Sequence, residues 1–141
     1  MTIEEYLSQY GELKSRFNFD KAFFLSLKDA LTDADVPEII DDPVQTSPSK
    51  DAPYARDLEK LYYLRDKIKL ERDLLIRLKA EILELVKPLN PKECTLITMR
   101  YIRGAKWDSI IETMKAKRAS VFRLHQDLLR RLVLPENAIT I

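Results

Sequence analysis

Over residues 3–33, large apolar side chains recur at alternating spacings of three and four. They are Ile3, Tyr6, Tyr10, Leu13, Phe17, Phe24, Leu27 and Leu31, with Asp20 taking one seam position. This spacing marks a long amphipathic helix that lies along another helix. A second seam runs over residues 54–86 through Tyr54, Leu61, Leu64, Ile68, Leu75, Leu78, Ile82 and Leu85, interrupted by Asp57 and Glu71. No proline or glycine falls in that stretch, and as one helix it would be about 50 Å long. Gly11 is a weak point in the first helix, where glycine costs about 1 kcal/mol relative to alanine, and the helix can break or start there.

Residues 34–53 differ in character. Pro37, Pro43, Pro48 and Pro53 fall here among Asp35, Glu38, Asp41 and Asp42. Proline removes an amide donor and disfavours helix in the residue before it, so this stretch is expected to be a loop.

Two matched seams joined by a loop predict an antiparallel helical hairpin. If its ends meet near residues 34 and 53, facing positions sum to about 87, since both helices rise equally per residue. Asp20 then faces Lys67, and Glu71 faces Arg16, so each acid in one seam meets a base on the other helix. Such polar pairs set register. An intermolecular coiled coil in a homodimer would use the same seams, and the two arrangements combine in a four-helix dimer.

The chain of 141 residues carries a net charge of +1 and only two glycines, a profile that favours helices. Its charge is unevenly placed. Residues 91–134 hold ten Lys/Arg against four Asp/Glu, a net of +6, whereas residues 1–90 hold fourteen against eighteen, a net of −4. A basic block on an acidic remainder suggests that one end meets a polyanion. No apolar run approaches the ~20 residues that span a bilayer. The opening "MTIEEYLSQYGE" is too polar for a secretory signal. Cys94 stands alone, so no internal disulfide forms, and a cytoplasmic location is expected. Cys94 and His125 are too few for a metal site, and neither a phosphate-binding glycine loop nor a nucleophile triad is present. No cofactor and no enzymatic activity are expected.

The basic block parses into three short helices. The first opens with Asn90 as N-cap, Pro91 at the first helical position and Glu93 three residues after the cap, and runs through "CTLITMRYI" with Leu96, Ile97 and Tyr101 inward. Gly104 suits the left-handed conformation that ends a helix. The second helix carries Trp107, Ile110, Ile111 and Met114 as one apolar stripe, with Trp107 expected in the core. "KAK" is a tight turn. In the third helix, Val121, Leu124, Leu128 and Leu132 share one face, and Ala119, Arg123, Gln126 and Arg130 share the opposite face, with Phe122 at the border. His125 borders the apolar face and Cys94 is expected to be a buried small side chain.

A short helix, a tight turn and a helix with a basic outer face form the helix-turn-helix pattern. Arginine matches guanine and glutamine matches adenine in the major groove, while Lys115, Lys117 and Arg118 are placed for phosphates. The plainer reading is a solvated face of a helical bundle. Lys106 and Lys117 stand where N-caps are expected, although lysine cannot accept the amide hydrogen bond and its charge opposes the helix dipole. Both are expected to serve the DNA backbone instead.

"LNPKECTLITMRYIRGAKWDSIIETMKAKRASVFRLHQDLLRRL" resembles region 4 of sigma-70-type factors, the helix-turn-helix that reads the −35 promoter element. The shared frame is Pro91, Glu93, Arg100, Tyr101, Gly104, Trp107, Ile110, Val121 and the closing leucines. The whole chain resembles a family of small phage proteins from Gram-positive bacteria, near the ArpU and RinA groups of phage late-transcription regulators. In that family a coiled coil, a loop like "VQTSPSKD" and the sigma-like module follow in this order. The resemblance implies Arg118, Ala119, Ser120, Phe122 and Arg123 as the base-facing set. Sigma factors usually carry an acid where Ala119 stands and a base where Phe122 stands, so the −35 hexamer is not the implied target. Nothing resembles sigma region 2.

The chain is therefore expected to be all-α, with a coiled-coil arm at 1–88, a DNA-binding module at 89–134 and a tail at 135–141. Its expected function is a phage or prophage transcription regulator that binds duplex DNA as a homodimer and contacts host RNA polymerase. Two other readings stay open: a DNA-packaging subunit of the small-terminase kind, and a polymerase-binding adaptor that never touches DNA.

Overall fold

The computed structural model describes residues 1–31 and 55–141. The expected loop over 34–53, and Tyr54 of the second seam, lie outside the described residues. Among these, the protein is all-helical. Helix α1 spans Ile3–Ala30, α2 Ala55–Val86, α3 Pro91–Ile97, α4 Trp107–Met114 and α5 Arg118–Arg131. The residues group into two compact units, Ser15–Leu74 and Met1–Lys14 with Leu75–Ile141.

In the Ser15–Leu74 unit, the ring of Phe24 is fully buried among Leu58, Leu61, Leu64 and Ile68, with Phe17, Leu27 and Leu31 packed at the edges. Burying a side chain of that size contributes about 1.5–3 kcal/mol. Lys67 Nζ lies 3.2 Å from Asp20 Oδ2, so the hairpin closes within one chain in the register its seams predict. The second expected pair does not form. Glu71 is buried, and neither of its carboxylate oxygens has a hydrogen-bond partner. Arg16 acts on it only through its field, alongside Lys67. The Glu71 carboxyl lies instead beside Asp20. Burial, then the Asp20 carboxylate, raises its pKa to about 7. Burial pushes Asp20 up as well, but Glu71 and Lys67 outweigh it and hold Asp20 below its ordinary value.

In the other unit, Tyr6 is fully buried and donates to Glu81 Oε1 at 2.6 Å. That pair also fits the predicted register. The helix does not break at Gly11. Tyr10 and Leu13 on either side are buried, and their packing outweighs the roughly 1 kcal/mol that glycine costs. The segment 135–141, left without a role by its sequence, is bound along the helix pair. Gln9 Nε2 donates to the Ile139 carbonyl at 2.9 Å, Gln9 Oε1 accepts from Ile141 N–H at 3.0 Å, and Glu81 Oε1 accepts from Ile139 N–H at 3.0 Å.

Helix α3 starts as its sequence directs. Asn90 Oδ1 accepts from Glu93 N–H, and Glu93 Oε1 accepts from Asn90 N–H, completing the capping box behind Pro91. Past Ile97 the helix widens into a π turn, Thr98–Ile102. The Thr98 hydroxyl donates back to Cys94 O at 2.8 Å, and the Thr98 carbonyl accepts from Arg103 N–H at 3.0 Å, one residue later than an α-helix would use. Gly104, at φ 65°, turns the chain into α4.

Candidate nucleic-acid interface

Helices α4 and α5 are joined by three residues, and Lys115 takes the left-handed conformation, at φ 52°, that ends α4. Val121, His125 and Leu128 of α5 turn inward, with Leu96, Ile97, Tyr101 and Ile110 also buried. Leu124 and Leu132 are half-buried. The opposite face of α5 is then forced outward, because residues three, four and seven apart share a side of a helix. Ala119, Arg123, Gln126 and Arg130 are all exposed, as is Ser120. Among the described residues, no ion pair engages Arg123 or Arg130.

Both lysine N-caps are present as predicted. Lys106 and Lys117 have extended backbone, at ψ 151° and 146°, and neither makes a side-chain capping bond. Their ammonium groups are exposed beside the amide ends of α4 and α5, as is Lys115 at the turn. Two other bases are engaged within the protein. Arg118 pairs with Asp108 and lies 5.7 Å from the Phe122 ring centre. Arg131 bonds to Glu93 and, at 2.9 Å, to Asp127. The Arg131 contact is the largest cause holding the Glu93 carboxyl below its ordinary range. Arg118 thus braces the turn, and Arg131 ties α5 to the capping box.

Phe122 is not an open contact. It is half-buried and meets Trp107 edge-on, with ring centres 4.9 Å apart. Trp107 is half-buried too, rather than enclosed in the core. A stripe at helical spacing tells which face turns inward, not how deep each residue sits, and Trp107 stands on the wall of a groove. That groove, of about 490 Å³, is lined by Glu4, Arg100, Trp107, Phe122, His125 and Gln126 among others. Arg100, which sequence reasoning did not single out, lies over the Trp107 ring at 4.6 Å and donates to Ala105 O. At the floor, the Tyr101 hydroxyl and His125 Nε2 are 2.6 Å apart, and both residues are buried. Burial lowers the pKa of His125 and raises that of Tyr101 to about 12. The imidazole is therefore neutral near pH 7 and holds α5 by packing and one hydrogen bond. Cys94, expected to be enclosed, is half-buried.

Among the described residues, no group of three His, Cys, Asp or Glu side chains is placed to hold a metal ion. No described helix is long and apolar enough to cross a membrane. Comparison of the chain with family models, with curated proteins and with solved structures found no match.

Proposed function

We propose that the chain is a duplex-DNA-binding transcription regulator of phage or prophage origin, with α4 and α5 as its helix-turn-helix and α5 in the major groove. The observation that carries this reading is the outer face of α5. Arg123 and Arg130 are exposed and unpaired among the described residues, on either side of Gln126, while Arg118 and Arg131 on the flanks are engaged within the protein. Lys106, Lys115 and Lys117 surround the same turn, where phosphate contacts set the position of a recognition helix. The similarity of residues 89–132 to sigma region 4 supports the same assignment. The helix pair is the arm through which host polymerase would be met, in the cytoplasm of a bacterial host.

The test is fluorescence anisotropy of the whole protein with a mixed-sequence duplex across a salt series, beside Arg123→Ala/Arg130→Ala. Binding is expected to fall linearly in log–log form with salt. The variant should bind at least about tenfold more weakly, since a good base contact contributes about 1–3 kcal/mol. No binding at the lowest salt would overturn the reading and leave the arginine face to a protein partner.

A further inference from the structure

The hairpin unit carries more apolar surface than a two-helix pair uses. With the buried seam written as heptad positions a and d, Phe19 falls at c and Phe23 at g on α1. On α2, Tyr63 and Leu70 fall at c and Leu74 at g. Phe19 is 70% exposed, Leu70 71%, Tyr63 66% and Phe23 49%, while Leu74 is half-buried. The Phe19 and Phe23 rings stack on one another, with centres 6.5 Å apart. In an antiparallel pair, the g positions of both helices lie on one side of the seam, with the c positions just outside them. All five side chains therefore share one face. A two-stranded coil needs only a and d, and an apolar stripe widened to g marks a helix that also faces a second pair of helices. The stripe is bounded along each helix, since the neighbouring c positions are Glu12, Ser26 and Arg77.

The same face has a charge pattern that fits itself. Arg16, at g, is exposed and makes no ion pair among the described residues. Glu71 is 7% exposed and has two oxygens without a hydrogen-bond partner. In the register set by Asp20 and Lys67 they lie at the same level of the hairpin. Consider a second hairpin laid on this face by a two-fold axis parallel to the helices. Each α1 then covers the α2 of the other copy, antiparallel and in the same register. Phe19 and Phe23 meet Leu70 and Tyr63 of the second copy, and Arg16 meets its Glu71. Every contact occurs twice, as an isologous interface requires.

We infer that the Phe19/Phe23/Tyr63/Leu70 face is the interface for a second copy of this chain, forming a four-helix bundle in which Arg16 neutralises Glu71 across the two-fold axis. The interface does not depend on DNA binding and is measured on the protein alone.

The mass of the full chain would be followed by sedimentation over a concentration series. The wild type is expected to reach the mass of a dimer. Phe19→Ser/Leu70→Ser, at two exposed positions, should dimerise at least about tenfold more weakly. Arg16→Glu and Glu71→Arg should each be monomeric where the wild type is dimeric. Mixed in equal amounts, they should recover the dimer, because each copy then supplies the charge that the other lacks. Circular dichroism checks that each variant keeps its helices; should Glu71→Arg unfold, the Phe19/Leu70 pair and Arg16→Glu still decide. A wild type that stays monomeric throughout overturns the inference. So does a dimer that survives the Phe19/Leu70 substitutions, or two folded charge variants that fail to rescue each other.

Discussion

The hairpin unit and the three short helices dispose of charge in opposite ways. In the hairpin, Asp20 and Glu71 are buried in the seam, Glu71 has no hydrogen-bond partner, and aromatic rings face outward. In α3–α5, every buried polar group described is satisfied. Glu93 closes the capping box and binds Arg131, and Tyr101 meets His125. The rings there turn inward or into a groove wall, and bare arginines and lysines face out. A region that buries an unsatisfied acid and exposes rings is built to gain from another helical surface. A region that completes its interior and exposes cations is built to meet an anion. The difference separates an assembly surface from a recognition surface within one short chain.

The largest test of this contrast is to make the same substitution on both sides. Glu71→Gln, measured at concentrations where the chain is monomeric, should stabilise the protein by about 1–3 kcal/mol at pH 8. The sign follows from the raised pKa. Glu71 contributes most when protonated, below its ordinary value of 4.5, and that contribution is lost as pH rises through about 7. The gain from glutamine should therefore vanish below pH 4.5. Glu93→Gln should have the opposite sign at pH 8, because it removes the charge that Arg131 binds. Thermal melts over a pH series read both, and equal signs would break the comparison.

A smaller effect is expected at the floor of the groove. Tyr101→Phe leaves His125 Nε2 buried without its partner and should cost about 1–2 kcal/mol. His125 has a lowered pKa, so its neutral form favours the fold. Stability from this site is full above the ordinary histidine value and is lost as pH falls below about 6.5. A chemical-denaturation series between pH 7 and pH 5 should show that loss in the wild type. Smaller again, Lys106→Ser and Lys117→Ser should each add about 1 kcal/mol by restoring a cap. Both should also weaken DNA binding, and unchanged affinity would remove the lysines from the interface.

Features written at short range were legible in the sequence. The seams, the Asp20–Lys67 register, the Asn90 cap, the left-handed Gly104 and the two lysine N-caps each follow from spacing or from one residue's chemistry. What was not legible depends on distant partners. Nothing near Gln9 indicates that both ends of its amide meet backbone groups 130 and 132 residues away. Arg16 was expected beside Glu71 within the chain because their levels match, but level does not ensure that the side chains turn toward each other. The π turn arises from Thr98 bonding back into its own helix, an option open to any threonine and taken by few. At the candidate site, the outward face of α5 was readable from its period. The Arg118–Asp108 and Arg131–Glu93 pairs, which distinguish engaged bases from free ones, were not.

The division into units has a consequence for the order of events during synthesis. Ser15–Leu74 is continuous in sequence, whereas its companion joins residues 1–14 to 75–141 and is tied by the bonds from Gln9 to residues 139 and 141. A continuous hairpin can form from contacts available once its own helices have emerged. A discontinuous unit must wait, because contacts so far apart in sequence require closure of most of the chain. The helix that carries Arg123 and Arg130 therefore reaches its final setting late, after the surface offered to a second copy is already formed. Nascent chains would then be able to pair before they are able to bind DNA.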